Sequence, residues 1–239
     1  MHISIVPETL FHIGSFAVTN TLFTSWVVVL AICLLAVWFR SKLRASPSKV
    51  QSGVELAVES LLGFLTTVAG DREKAEKFFG IVATLFFFVL LSNWAGILPG
   101  VGSITFHDIP IFRSVYSDLN MTLALAILVV FLSHLFGFLA VGVRHLSNFF
   151  TLRDFGSSFS GILEFIGEFS KMISLGFRLF GNIFAGEVLL VIIGGLVPFI
   201  APVPFLGLEL FVGLIQALIF ATLAMLSFAT WTKARAHSS

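Results

Sequence analysis

Cysteine occurs once in the 239 residues, at Cys33, so the chain cannot form a disulfide within itself and offers no reading of its redox compartment. Charge is scarce as well, with Asp, Glu, Lys and Arg together making up 11% of the residues. The net charge of +1 comes with no basic cluster backed by a soluble fold, which argues against a nucleic-acid partner. The opening stretch MHISIVPETLFHIG has no basic region ahead of the first apolar run and no small-residue cleavage site after it. The first hydrophobic segment is therefore expected to stay as an anchor rather than leave as a signal peptide. What fills the chain instead is apolar: 57% hydrophobic residues, 29 Phe, and a mean hydropathy of +1.03. Several runs approach the roughly 20 apolar residues that span a bilayer, so the lipid bilayer is the expected solvent.

Lys and Arg fall into four groups: RSKLR with Lys49, then DREKAEK at 71–77, then Arg144 with Arg153, then Lys233 with Arg235. Between them, membrane crossings are expected near 22–40, 76–98, 119–143, 158–194 and 205–232 of a single integral membrane domain, 1–239. Segment 50–69 differs. Its Val54, Ala57, Val58, Leu61, Phe64, Leu65 and Val68 follow helical spacing, while Gln51, Ser52, Glu55 and Glu59 gather on another face. Such a helix can lie in the interface plane or cross. If it lies flat, 11 basic residues fall on the cytoplasmic side and only Arg113 outside, with Lys171 and Arg178 in the membrane. If it crosses, everything after it inverts, leaving five inside against seven outside. The positive-inside rule selects the flat helix, an outside N-terminus and a cytoplasmic C-terminus.

That topology is open to a direct check. With Cys33 replaced by Ser, a cysteine at His107 is expected to react with an impermeant thiol reagent added outside, and one at Asn148 only from inside. The reverse labelling would mean that 50–69 crosses.

The last apolar stretch begins and ends at cytoplasmic charge, so it must cross an even number of times, and its strong break is GGLVPFIAPVP at 194–204. Two crossings of about 30 to 38 residues remain, roughly 45 to 57 Å of helix against about 30 Å of hydrocarbon. They are expected to be strongly tilted or bent. On a helix turning 100° per residue, Glu164, Lys171 and Arg178 recur every seven residues on one stripe, with Asn182 a turn further on. Glu187 points half a turn away from Arg178. In an antiparallel hairpin, positions whose numbers add to about 395 lie level, which sets Gln216 beside Arg178 and Glu209 beside Glu187. Glu168 and Lys171, three residues apart, read as a local ion pair, and His134 as a hydrogen-bonded packing residue. Arg178 has no neighbour three or four residues away that could neutralise it. An Arg at a helix centre costs about 2.5 to 3.5 kcal/mol on insertion scales, and it cannot escape by losing its proton.

These residues carry a resemblance. SLGFRLFGNIFAGE at 174–187 resembles the signature of subunit a of the F-type ATP synthase, and NWAGILPG at 93–100, SDLNMTLALA at 117–126 and LIQALIFATL at 214–223 agree with it. The resemblance implies an all-α membrane fold of five crossing helices plus one in-plane amphipathic helix, the last two long and nearly horizontal around a rotor. It implies a non-catalytic, proton-conducting subunit, with ATP chemistry in other subunits, and neither a cofactor nor a metal. Partners would be the c-ring rotor and the peripheral-stalk b subunits, in a bacterial plasma membrane. Arg178 would face the rotor carboxyls. Glu187 and Glu209, with Asn182, Gln216 and further out Asp118 and Asn120, would serve the outer half-channel, and Glu164 the cytoplasmic one. Weaker assignments to the path are His134, Glu168 and Lys171. Some family members carry His where this chain has Glu209. The alternative from another class is a secondary ion transporter with charges at its midplane. Such folds usually show internal repeats, and the sequence has none.

Overall fold

A bilayer offers no water to backbone amides, so a chain this apolar must satisfy them within helices. In a computed structural model, which describes residues 7–43, 48–98, 101, 104–106, 109–142, 155–197 and 200–233, six long helices do so. They are α1 (Asn20–Lys42), α2 (Lys49–Ala69), α3 (Arg72–Ile97), α4 (Leu119–Val141), α5 (Phe155–Leu196) and α6 (Pro202–Lys233). Arg44, Arg144, Arg153 and Arg235 of the charge count lie outside the described residues, as do His107 and Asn148. All six helices are long and apolar enough to cross a membrane, α2 included.

The helix starts follow from local chemistry. Thr19, Ser48, Asp71 and Asp118 each accept a backbone N–H from the first turn that follows, capping α1 to α4. Gly70 ends α2 at φ 71° and Gly142 ends α4 at φ 67°, left-handed conformations that a side chain would strain. Two short antiparallel hairpins accompany the helices. One pairs β1 (Thr9–Ile13) with β2 (Phe16–Thr19), and the other pairs β3 (Thr105–Phe106) with β4 (Ile109–Pro110). Helical periodicity gives no signal for them, because each strand is five residues or fewer.

The core forms where α3 and α6 lie together, with α4 closing one side. Phe78, Val82, Phe86 and Val89 of α3 meet Ala217, Phe220, Ala221, Ala224, Met225 and Phe228 of α6, all buried. Both sets recur at three and four residues, one buried stripe per helix. Phe78, Phe136 and Phe228 close a ring triangle across α3, α4 and α6, with centroids 5.1 to 5.6 Å apart. Side chains of α3 also reach the backbone of α6: Asn93 Nδ2 donates to the Gly213 carbonyl at 3.1 Å and Trp94 Nε1 to that of Leu210 at 3.1 Å. Helix α2 buries Gln51, Leu61, Leu65 and Ala69, and leaves Glu55 and Glu59 exposed.

Helix α5 is different. It runs 42 residues without a break, about 63 Å, and among the described residues it buries the apolar side chains of Leu175, Leu179 and Ile183 in the core. Gly176 lets it approach α4 so closely that an added Cβ would sit 2.8 Å from Leu123 Cδ2. The rest of the helix displays Phe165, Ile166, Phe169, Ile173 and Phe177 on its surface.

Candidate functional site

Two groups of polar residues are set on opposite faces of α5. The first lies toward the α5–α6 turn. Glu187 on α5 faces the Ser117 hydroxyl, the Ser114 backbone and the Arg113 guanidinium, all from the segment that enters α4. Glu209 on α6 neighbours Glu187 and is itself buried. Its carboxylate rests on Gly186: a Cβ built there would stand 2.7 Å from Glu209 Oε1. Glycine at 186 thus makes the room that the buried carboxyl occupies. The segment opposite is held rigidly. Val115–Ser117 form a single 3-10 turn, Arg113 N–H donates to Thr24 Oγ1 of α1 at 3.1 Å, and Arg113 Nε donates to Ser117 Oγ at 3.0 Å.

Three buried oxygens around this group, Asn93 Oδ1, Ser114 Oγ and Glu209 Oε2, have no hydrogen-bond partner among the described residues. Buried polar atoms of this kind are ordinarily satisfied by ordered water. The arrangement suits a wet, acidic pathway closed in by protein.

The second group is Arg178 and its surroundings. Arg178 is exposed, and its Nη2 donates weakly to Ser174 Oγ at 3.5 Å one turn earlier. Among the described residues no carboxylate pairs with it. Gly167, Ser174, Gly181 and Ala185 are exposed near it on the same side of α5, and an added Cβ at Gly167 or Gly181 would meet nothing within 4 Å. A charged group thus stands on a smooth, small-residue face amid apolar surface. Asn182 is half-buried a turn beyond, and Gln216 half-buried on α6, two turns past Glu209.

Further along α5, Glu164 is exposed, as its place on the Arg178 stripe requires. Glu168 turns toward α4 instead. It accepts from Lys171 Nζ at 2.7 Å, the ion pair expected from their spacing, and its other oxygen stands 4.0 Å from His134 Nε2. The sequence reading missed this link across helices, because spacing within one helix says nothing about α4. Asp118 accepts from Thr21 Oγ1 at 3.0 Å and from the Asn120 backbone at 2.9 Å, so both its oxygens are engaged in holding the start of α4 against α1. The Asn120 side chain is exposed. Arg113, Ser114 and Ser117 escaped sequence reasoning as site residues, since the segment entering α4 carries no long periodicity, and Asn93 escaped because its place on α3 says nothing about α6. A lone basic residue between Lys77 and Arg144 was the available signal for Arg113.

Gly186 and Glu209 add to 395, the level expected for the hairpin, and Gly194 meets Pro202 Cγ at 3.9 Å one residue off that sum. In a Cys33→Ser background, cysteines replacing Gly186 and Glu209 are expected to cross-link under mild oxidation, since bridging needs Cα atoms within roughly 7 Å. A Glu187→Cys, Leu223→Cys pair, far out of level, should remain reduced. Equal cross-linking of both pairs would contradict the register.

Among the described residues no three His, Cys, Asp or Glu side chains cluster as a metal site would require. A cavity of about 440 Å³ lies instead at the far end of α3 and α4, lined by Asp71, Lys74, Lys77, Phe78 and Phe136, away from both groups.

Comparison with known proteins places these features in a family. The ATP synthase A chain family matches residues 22–228. The chain is 33% identical over 216 residues to ATP synthase subunit a 2 of Bradyrhizobium sp., covering 90% of this chain and 89% of the relative. It is 31% identical over 224 residues to ATP synthase subunit a of Syntrophobacter fumaroxidans, covering 93% and 88%. Against ATP synthase subunit a of Geotalea daltonii it is 30% identical over 202 residues, covering 84% and 82%.

Proposed function

The chain belongs to the ATP synthase A chain family, and on that premise we propose that it is the stationary proton-conducting subunit of an F-type synthase, with Arg178 facing the carboxyls of a c-ring rotor. The observation that carries this reading is the placement of Arg178: an exposed cation without an ion-pair partner among the described residues, on an apolar and small-residue face of α5. Left against lipid it would be costly. Set opposite an acidic partner it gains a charge-assisted contact. Its permanent charge favours the ionised rotor carboxylate as it passes, which releases that group's proton on one side, and repels a proton leaking straight through.

On this reading Glu187 and Glu209 serve the outer half-channel with Asn182 and Gln216, and Asp118 and Asn120 lie toward its mouth. Glu164 serves the cytoplasmic half-channel about 21 Å along α5, with Glu168, Lys171 and His134 beside it. Helix α2 lies in the interface plane, the other five cross, and α5 and α6 are strongly tilted, because about 63 Å and about 48 Å of helix exceed roughly 30 Å of hydrocarbon. The N-terminus is outside and the C-terminus cytoplasmic, in a bacterial plasma membrane, with peripheral-stalk b subunits as further partners. ATP chemistry lies in other subunits.

Each proton entering under a potential brings about 2.3 kcal/mol per 100 mV. ATP-driven proton pumping by the assembled complex, with Arg178 intact and replaced, tests the proposal. A secondary transporter would purify without a ring of small hairpin proteins, whereas this subunit should purify with one.

A further inference from the structure

Glu187 and Glu209 are neighbours of like charge, yet their surroundings are unequal. Glu187 has a hydroxyl, a backbone N–H and a guanidinium turned toward it. Glu209 lies against bare Gly186, and its Oε2 has no hydrogen-bond partner among the described residues. Two carboxyls this close in a low-dielectric setting do not both ionise freely, and one proton is shared between them. The cation beside one of them decides where that proton stays.

We propose that Arg113 holds Glu187 as a standing anion, so that Glu209 alone carries the proton travelling inward from the outer water. The inference rests on the half-channel reading above and assigns roles within it. Arg113 is the one basic residue between Lys77 and Arg144, and an arginine keeps its charge at any working pH. The guanidinium is aimed by its own Nε bond to Ser117, the hydroxyl that also faces Glu187. In the transfer, the O–H bond of Glu209 breaks as one forms on the rotor carboxylate, and the Glu209 carboxylate then takes the next proton from water. Glu187 is unchanged throughout.

Charge neutralisation in pairs separates this from a merely structural role. The readout is ATP synthesis driven by an imposed proton gradient in vesicles holding the assembled complex. Arg113→Gln and Glu187→Gln should each lose about tenfold or more, because each leaves the other charge half-buried without its partner. Arg113→Lys should keep most of the rate. The Arg113→Gln, Glu187→Gln double variant should recover to within about threefold of the unmodified complex, since no charge is stranded and Glu209 still carries the proton. Arg113→Gln with Glu209→Gln should be no faster than the slower single. A double variant at 113 and 187 as slow as its singles overturns the assignment, and so does equal rescue at 187 and 209. If Arg113→Gln does not assemble, Arg113→Met with Glu187→Gln must still assemble and recover, and its failure overturns the assignment too. Arg178→Ala runs alongside: its remaining coupled would sink the half-channel reading itself, whereas its inactivity with a failed cycle would sink only the role of Arg113.

Discussion

Arg178→Ala is expected to abolish coupled ATP synthesis and ATP-driven pumping while the complex still assembles. The substitution removes nothing from the core, because the side chain is exposed and its one described bond is a weak contact with Ser174. Losing a charge aimed at the reacting group costs about 10² to 10³ in rate where such groups have been removed, and here a neutral residue would also open the path to leak. Arg178→Lys should fail almost as fully. A lysine is a compact point charge that gives up its proton when desolvated, where the guanidinium does not. Coupled activity above about a tenth of the original in the alanine variant, a barrier change of less than roughly 1.4 kcal/mol, would remove Arg178 from its assigned place.

Gly186→Ala is expected to damage the site severely for a change of one methyl group. The added carbon would stand 2.7 Å from Glu209 Oε1 and 3.0 Å from its Cδ, so the carboxyl must swing out of its position. Displacing a reacting group by about 1 Å can cost up to about a hundredfold, and gradient-driven synthesis should fall by roughly tenfold or more. Helix stability cannot be the cause, since alanine is favoured over glycine in a helix by about 1 kcal/mol. Shortening the carboxyl by one methylene should restore part of the rate, so Gly186→Ala with Glu209→Asp should outperform Gly186→Ala alone. Gly194→Ala is the control, because its nearest contact, Pro202 Cγ at 3.9 Å, is ordinary packing. Equal loss in both glycine variants, or no gain from the aspartate, would contradict the fit between Gly186 and Glu209.

The parts of this molecule legible in the sequence are those governed by one helix at a time. Apolar runs between charge clusters foretell five long helices and amphipathic spacing a sixth, and index arithmetic along two antiparallel helices sets Glu209 beside Glu187. The pairing of Glu168 with Lys171 follows from spacing alone. What escaped depends on contacts between elements. Nothing in the spacing of α4 says that His134 reaches Glu168. Arg113 and Ser117 sit in a segment whose path is set by a bond to Thr24, 89 residues earlier in the chain. Asn93 and Trp94 read as part of a motif, yet their bonds to the carbonyls of Gly213 and Leu210 emerge only when α3 and α6 are packed. Asp118 was read as a polar group near a channel, and its two oxygens turn out to be occupied in fastening α4 to α1.

The seam by which α5 joins α4 and the core has a mechanical meaning under the proposed role. A rotor that is pulled past Arg178 pushes back on it with equal force, and a stator delivers torque only as far as it does not yield. That load enters a helix attached along Leu175, Leu179 and Ile183 and pressed onto α4 at Gly176, with Glu168 Oε2 4.0 Å from His134 Nε2 on the same seam. From α4 it spreads through the Phe136 triangle into α3 and α6. Compliance along this route would let α5 recoil with each passing carboxyl, and work meant for rotation would be dissipated as bending. On the proposed role, the stiffness of the α4–α5 seam would bound how much of each proton's energy reaches the rotor.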